Sequence, residues 1–281
     1  MKTELSTTTT LFTSHFMMQN SLVVRGRGGA AACVDPAYFP DEIDAIRSAL
    51  KDVSQGYCLL LFTHGDFDHV LGLGPAPGFR AVIQEEALKA DKGAVEAQCR
   101  EYDEALYLSR EPPFCFPAFD RTFGASLNLE KEGLPLTLVH APGHTADSAL
   151  VLNTEGEWCH AGDMLSDLEF PIVRHSFAAY RSSLGRIPGL LQEHGIIRVV
   201  PGHGRVAEGW GEIMRRWDRD FDYIDRLETE VRRLARARET LEACIEGTRC
   251  FLFGGRPIPP FQREFHEGNV RTLFAEVARK Y

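Results

Sequence analysis

The sequence predicts an α/β protein in which sheets pack together and helices lie outside. Three observations carry that expectation. Short apolar runs of strand length recur from residue 21 to residue 200. They fall into two strand-rich halves, each followed by segments with helical spacing, a pattern that suits sheets covered by helices. The chain of 281 residues is 44% hydrophobic and 25% charged, enough apolar side chains to fill the core such layers need.

Taken in order, residues 1–10 are threonine-rich and lack an apolar core, so they do not read as a secretory signal. Residues 21–25 and 30–34 read as strands joined through Gly26-Arg27-Gly28-Gly29, a hairpin signal. The second strand ends in Asp35-Pro36. Asp41, with Asp44 in the place usually filled by Glu, is expected to cap a helix buried along Ile43, Ile46, Ala49 and Leu50. Residues 58–62 follow Gly56 and are apolar at every position, as in a fully buried strand. A short helix over 71–74 is weakened by its glycines. Residues 75–78 read as a turn and 79–83 as a strand.

Residues 84–108 read as one polar helix. Residues 111–119 are aromatic and proline-rich, and Pro113 and Pro117 forbid regular structure there. That stretch is either a packed connecting loop or an apolar wall or lid over a substrate. Strands resume at 126–129 and 136–140, and 149–152 with 157–160 form a second hairpin. Phe177, Tyr180, Leu184 and Ile187 mark a helix that Pro188 ends or kinks. Residues 196–200 form a buried strand. From 208 to about 246 one long helix, or two, carries an apolar stripe from Trp217 to Leu234. Its charges make a solvated face or, in a second reading, a homodimer surface. Residues 252–260 form a turn-rich connector, and 270–281 a final helix. The expected division is a core over 1–207 and a helical segment over 208–281 packed on it.

A net charge of −9 argues against nucleic acid or an anionic membrane as partner. No apolar stretch approaches a membrane span. Seven cysteines without a Cys-x-x-Cys pair suit free thiols in a reducing cytoplasm rather than disulfides or a cysteine-rich zinc site. The expected partner is a small-molecule substrate.

The chemistry gathers in Thr63-His64-Gly65-Asp66-Phe67-Asp68-His69, where two imidazoles and two carboxylates follow the 58–62 strand. Histidine with carboxylate suits a hydrolytic transition-metal site. Three more fragments place His or Asp in a turn after an apolar strand: His140-Ala141-Pro142-Gly143-His144-Thr145, His160-Ala161-Gly162-Asp163 and Pro201-Gly202-His203-Gly204. One such fragment is weak evidence, but four in order are strong.

Together the fragments resemble the metallo-β-lactamase superfamily over roughly residues 20–205, where the first motif is usually His-x-His-x-Asp-His. The resemblance implies an αββα sandwich of two mixed sheets with external helices, plus a C-terminal helical extension. It also implies two divalent transition-metal ions, zinc or iron or manganese. His64, Asp66 and His144 would hold one, and Asp68, His69 and His203 the other, with Asp163 bridging. In hydrolytic members a hydroxide between the metals is the nucleophile, because metal binding brings the pKa of water near neutrality. Asp68 is carried over as a catalytic residue as well as a ligand. His140 is expected to support the ligands or the fold. His175, after the bridging motif, is either a substrate contact or an exposed or capping histidine. Tyr180 is either core packing or, as in lactonase-like relatives, a substrate contact.

The sequence departs from the family at Asp66, which stands where a histidine is usual. A third carboxylate makes the site more anionic and should favour iron or manganese over zinc. Flavodiiron proteins, which this position resembles, carry a Glu there. The leading expectation is a metal-dependent hydrolase of a small ester, lactone or thioester. The alternatives are a di-iron oxidoreductase or oxygenase, fed by a separate electron donor because no Gly-rich phosphate loop follows residue 205, and a non-catalytic metal-binding sensor.

Overall fold

The computed structural model describes residues 1–54, 58–72 and 78–278. The first sheet has seven strands side by side in chain order: β1 (Lys2–Ser6), β2 (Thr9–Thr13), β3 (Asn20–Arg25), β4 (Ala31–Val34), β5 (Cys58–Leu61), β6 (Phe79–Gln84) and β7 (Arg121–Phe123). Strands β1 to β4 pair antiparallel and β4 to β7 parallel. Parallel pairing needs crossovers. Helix α1 (Pro40–Val53) supplies one between β4 and β5, the one-turn helix α2 (Phe67–Val70) lies between β5 and β6, and α3 (Lys92–Ala105) precedes β7.

The second sheet comprises β8 (Ser126–Asn128), β9 (Leu136–His140), β10 (Ala149–Asn153), β11 (Trp158–His160), β12 (Arg198–Val200) and β13 (Ala207–Glu208), neighbouring in that order. Only β11 and β12 run parallel, and α4 (Phe177–Glu193) makes that crossover. Helices α5 (Gly209–Arg236), α6 (Leu241–Thr248) and α7 (Arg263–Ala278) follow.

Strand alternation sorts the apolar residues into layers. Leu22, Val24, Leu59 and Leu61 of the first sheet meet Leu138, Val151, Trp158 and Val200 of the second. The opposite face of the first sheet, with Val23, Cys33 and Leu60, packs on Ile43, Ile46 and Leu50 of α1. The outer face of the second sheet packs on α4, α5 and α7 through Leu184, Ile224, Leu227 and Leu273. The result is the αββα sandwich of two mixed sheets, and the helices after residue 208 share one apolar cluster with the second sheet.

Several local expectations change. Residues 2–13 form a polar edge hairpin, whose threonines favour strands although no apolar alternation marks them. Helix α1 begins at Pro40, which suits a first helical position, one residue before Asp41. The expected helix over 84–108 is a 3-10 turn at Glu85–Lys89 followed by α3, which Asp91 caps through the Ala94 N–H. The helix marked by Phe177 does not end at Pro188 but runs on to Glu193. Proline removes the N–H that Leu184 O would accept, and the indole N–H of Trp217 donates to that oxygen instead at 2.8 Å. Of the one helix or two expected over 208–246, the chain forms two, broken where Arg238 takes φ +60° and Thr240 caps α6. The expected turn at 75–78 and helix at 71–74 fall largely outside the described residues, as do the last three residues of the final helix.

Candidate metal centre

The four loops that carry the sequence fragments follow β5, β9, β11 and β12, and they meet at one edge of the sandwich. His64 and Asp66 lie in the loop after β5, and Asp68 and His69 on α2 just beyond. His144 comes from the turn after β9, Asp163 from the end of β11 and His203 from the end of β12. The close approach dictates residue size. A Cβ on Gly202 would lie 2.3 Å from Asp163 Oδ1, and one on Gly143, at φ +148°, 2.3 Å from Tyr180 Cα.

The ligating atoms form two trios around Asp163. Asp163 Oδ2 is 3.7 Å from His64 Nε2 and 3.3 Å from His144 Nε2, and Asp66 Oδ2 is 3.3 Å from both imidazoles. Asp163 Oδ1 is 3.2 Å from His69 Nε2 and 3.7 Å from His203 Nε2, and Asp68 Oδ2 is 3.1 Å from His203 Nε2. The two oxygens of one carboxylate therefore face different trios.

All four imidazoles are held by Nδ1, which turns Nε2 inward. His64 Nδ1 can donate to Thr63 Oγ1 at 3.0 Å, His69 Nδ1 to Asp35 Oδ2 at 2.8 Å, His144 Nδ1 to Ile172 O at 2.7 Å and His203 Nδ1 to Met17 O at 3.2 Å. His64 Nε2, His69 Nε2 and Asp163 Oδ1 are buried without a hydrogen-bond partner. Buried polar atoms are normally satisfied. Inward lone pairs on imidazoles whose other nitrogen is anchored are what a metal ion requires. The residues present therefore fit two divalent ions.

Asp35 is the support that sequence reasoning missed. It has 0% exposure and φ +45°, and it accepts from the Thr63 N–H at 2.8 Å, the Thr63 hydroxyl and His69. Burial alone would raise its carboxyl, but the His69, His160 and His64 imidazoles outweigh that and hold it below the usual range. Burial also acts on Asp163, and His69, His203, His64 and His144 overcome it to hold that carboxyl well below its ordinary value. His64, by contrast, is pushed down to about 3, by burial first and by its neighbouring His69 second. The one signal for Asp35 in the sequence was a carboxylate at a strand terminus.

Two more charged groups complete the site. Arg174 Nη2 pairs with Asp66 Oδ2 and lies 3.1 Å from His144 Nε2. In the sequence alone Asp66 is an uncompensated carboxylate; the guanidinium set against it returns the missing positive charge. Glu169 clusters with Asp163 and His203. Neither residue has a motif signal. A pocket opens above, walled by Phe16, Phe67, Tyr102, Ile172 and Phe265.

Of the other predicted residues, His140 donates through Nε2 to Ala146 O at 2.8 Å and so pins the turn that carries His144. His175 is exposed and does not line the pocket; its backbone N–H reaches Gly143 O and His144 O. Tyr180 has 0% exposure and packs in the core behind Gly143. Phe116 of the 111–119 stretch is buried against the first sheet, and the stretch lines no part of this pocket. Among the described residues no helix is long and apolar enough to cross a membrane.

The chain is similar to known proteins in sequence and in fold. Residues 16–203 match the family model described as the metallo-beta-lactamase superfamily. The chain is 25% identical over 199 residues to the Beta-lactamase-like protein 2 homolog of Caenorhabditis elegans, covering 71% of this chain. It spans 59% of the length of that relative. Its fold is similar to that of the sec-alkylsulfatase Pisa1 from Pseudomonas sp., with a TM-score of 0.72 at 9% identity over 100% of this chain and 50% of that one. It is also similar to TTHA1623, solved in a di-iron-bound form, with a TM-score of 0.51 at 22% identity over 70% and 93%. At these identities the structural likeness speaks for the fold alone.

Proposed function

The chain belongs to the metallo-β-lactamase superfamily, and from that premise we propose that it is a metal-dependent hydrolase of a small ester, lactone or thioester. The supporting observation is the pair of ligand trios that share Asp163, with His64 Nε2 and His69 Nε2 buried and unpartnered. His64, Asp66 and His144 would hold one divalent ion, Asp68, His69 and His203 the other, and Asp163 both. Bound ions supply Lewis acidity and an activated water near neutral pH. Thr63 and Asp35 fix the tautomers of His64 and His69, so that Nε2 stays the inward atom. Asp68, 11% exposed, would accept a proton from the attacking water and return it to the leaving oxygen or sulfur as the scissile bond breaks. Phe16, Phe67 and Tyr102 give the pocket an apolar wall, and charge interactions strengthen where such a wall displaces water. Free cysteines suit a reducing cytoplasm, where the enzyme would act on a small-molecule substrate, with a homodimer as its expected assembly.

The test is metal analysis of protein grown with zinc, iron and manganese in equal supply, followed by an ester, lactone and thioester screen of the loaded protein. About two ions per chain with turnover of one substrate class supports the proposal. Metal without turnover of any of them overturns it. A second reading, di-iron redox chemistry, is favoured by Asp66 and by the iron bound to TTHA1623. Optical bands that respond to reductant, together with oxygen uptake, would move that reading to first place.

A further inference from the structure

We propose that Arg174 anchors an anionic oxygen group of the substrate beside the metal centre, so that the preferred substrate is an amphipathic oxyanion. The inference rests on the hydrolytic reading and narrows its substrate class. The Arg174 side chain lines the pocket and is 44% exposed. Its closest approaches to Asp66 and His144 are both made by Nη2, and among the described residues no hydrogen bond engages Nη1 or Nε. Balancing Asp66 through Nη2 leaves hydrogen-bond donors on the other nitrogens of a side chain that lines the pocket. A guanidinium presents them in the planar fork that suits carboxylate, sulfate or phosphate.

The position of Arg174 is built rather than incidental. The Val173 N–H donates to Asn269 Oδ1 at 2.7 Å, Asn269 Nδ2 donates to Pro171 O at 2.6 Å, and the Arg174 N–H donates to His144 O at 3.0 Å. Asn269 is itself 1% exposed on α7. The C-terminal helix therefore holds the backbone that presents the guanidinium. Glu169 lines the same pocket next to His203, so repulsion steers an anion away from it and toward Arg174. Phe16, Phe67 and Phe265 provide the apolar wall for the remainder of the ligand. A neutral substrate would enclose these donors without partners, which disfavours it.

Binding of octanoate, octyl sulfate, octyl phosphate and octanol to the metal-loaded protein tests this. Each is measured by calorimetry for the wild type, Arg174→Gln, Arg174→Lys and Asn269→Ala, with metal content determined on every sample. At equal metal content, Arg174→Gln should weaken at least one anion by about tenfold or more, the scale of a charge-assisted pair, and leave octanol unchanged. Arg174→Lys should recover part of the loss, and Asn269→Ala should weaken the anion by a smaller factor. The anion most affected identifies the oxyanion class. Equal loss of anion and octanol, or unchanged anion binding in Arg174→Gln, overturns the anchor. If Arg174→Gln loses metal, the comparison of wild type with Arg174→Lys and Asn269→Ala decides: no change in either overturns it. Anion binding through Arg174 without hydrolysis of any ester would sink the hydrolytic reading and leave the anchor standing. Hydrolysis with Arg174-independent binding would do the reverse.

Discussion

His69 rests on Asp35, a carboxylate with 0% exposure, whereas Asp66 rests on Arg174, a guanidinium 44% exposed. The trio of Asp68, His69 and His203 is tied down from several directions. Asp35 holds His69, Met17 O holds His203, and Gln19 Nε2 donates to Asp68 O. Asn20 donates to Pro201 O and Gly204 O on either side of His203. The trio of His64, Asp66 and His144 relies on Thr63, on the Ile172 carbonyl and on the partly exposed ion pair. A buried charge left without its partner is costly, while an exposed pair is screened and contributes little. The same ligand types can therefore differ in how tightly they hold an ion, and this comparison predicts that the Asp66 trio releases its ion first under a chelator.

The largest test of that comparison is Asp35→Ala. It should cost the His69 trio about 10–100-fold in metal affinity, the usual effect of removing a histidine's supporting carboxylate. Competition with a chromophoric chelator reads both sites; equal loss at the two trios would break the comparison.

Asp220 offers a second contrast, with Asp163. Four histidines pull Asp163 down, but at Asp220 burial outweighs the Arg219 guanidinium at 3.9 Å, the Leu165 N–H at 3.1 Å and Arg216, and pushes its carboxyl up to about 7. An unfolded aspartate titrates at 3.8. Between those values the folded chain keeps a proton that the unfolded chain has lost, so stability falls as pH rises through the window and levels off above it. Asp220→Asn should then gain roughly 1–4 kcal/mol above pH 7 and nothing near pH 3, read by urea unfolding. A gain independent of pH would show that the charge is not the cause. Metal affinity should stay at the wild-type value.

A smaller effect is expected from Thr63→Val. It keeps the shape but removes the hydroxyl that links His64 to Asp35, and should weaken metal binding by on the order of tenfold or less, mainly at the His64 trio. The smallest is Asp66→His. It should shift preference toward zinc, but by less than a lone carboxylate would, because Arg174 already offsets the charge. Metal content under equal supply checks this, and unchanged occupancy would remove the electrostatic basis for the argument.

Strands and ligand loops were legible because their signals are local. Cys58 to Phe62 is apolar at every position, and a run of that length before His64 places the loop at a strand end. The edge hairpin over residues 2–13 was not legible: β1 buries little, and β2, though it buries Leu11 and Phe12, places them side by side among threonines and shows no apolar alternation. Nor was the passage of α4 through Pro188, which depends on an indole donated from another helix.

The sequence by itself determined the two strand-rich halves and the four strand-end loops, because each depends on neighbours a few residues away, and the resemblance those loops carry supplied the seven candidate ligands. Tertiary structure decided what stands behind those ligands. Asp35 and His69 are 34 residues apart, and Asn269 and Val173 are 96 apart. Hydrogen bonds over such separations follow no periodicity, and a single Asp, Arg or Asn carries no motif. Their roles exist only once packing has excluded water and left each polar group one partner to find.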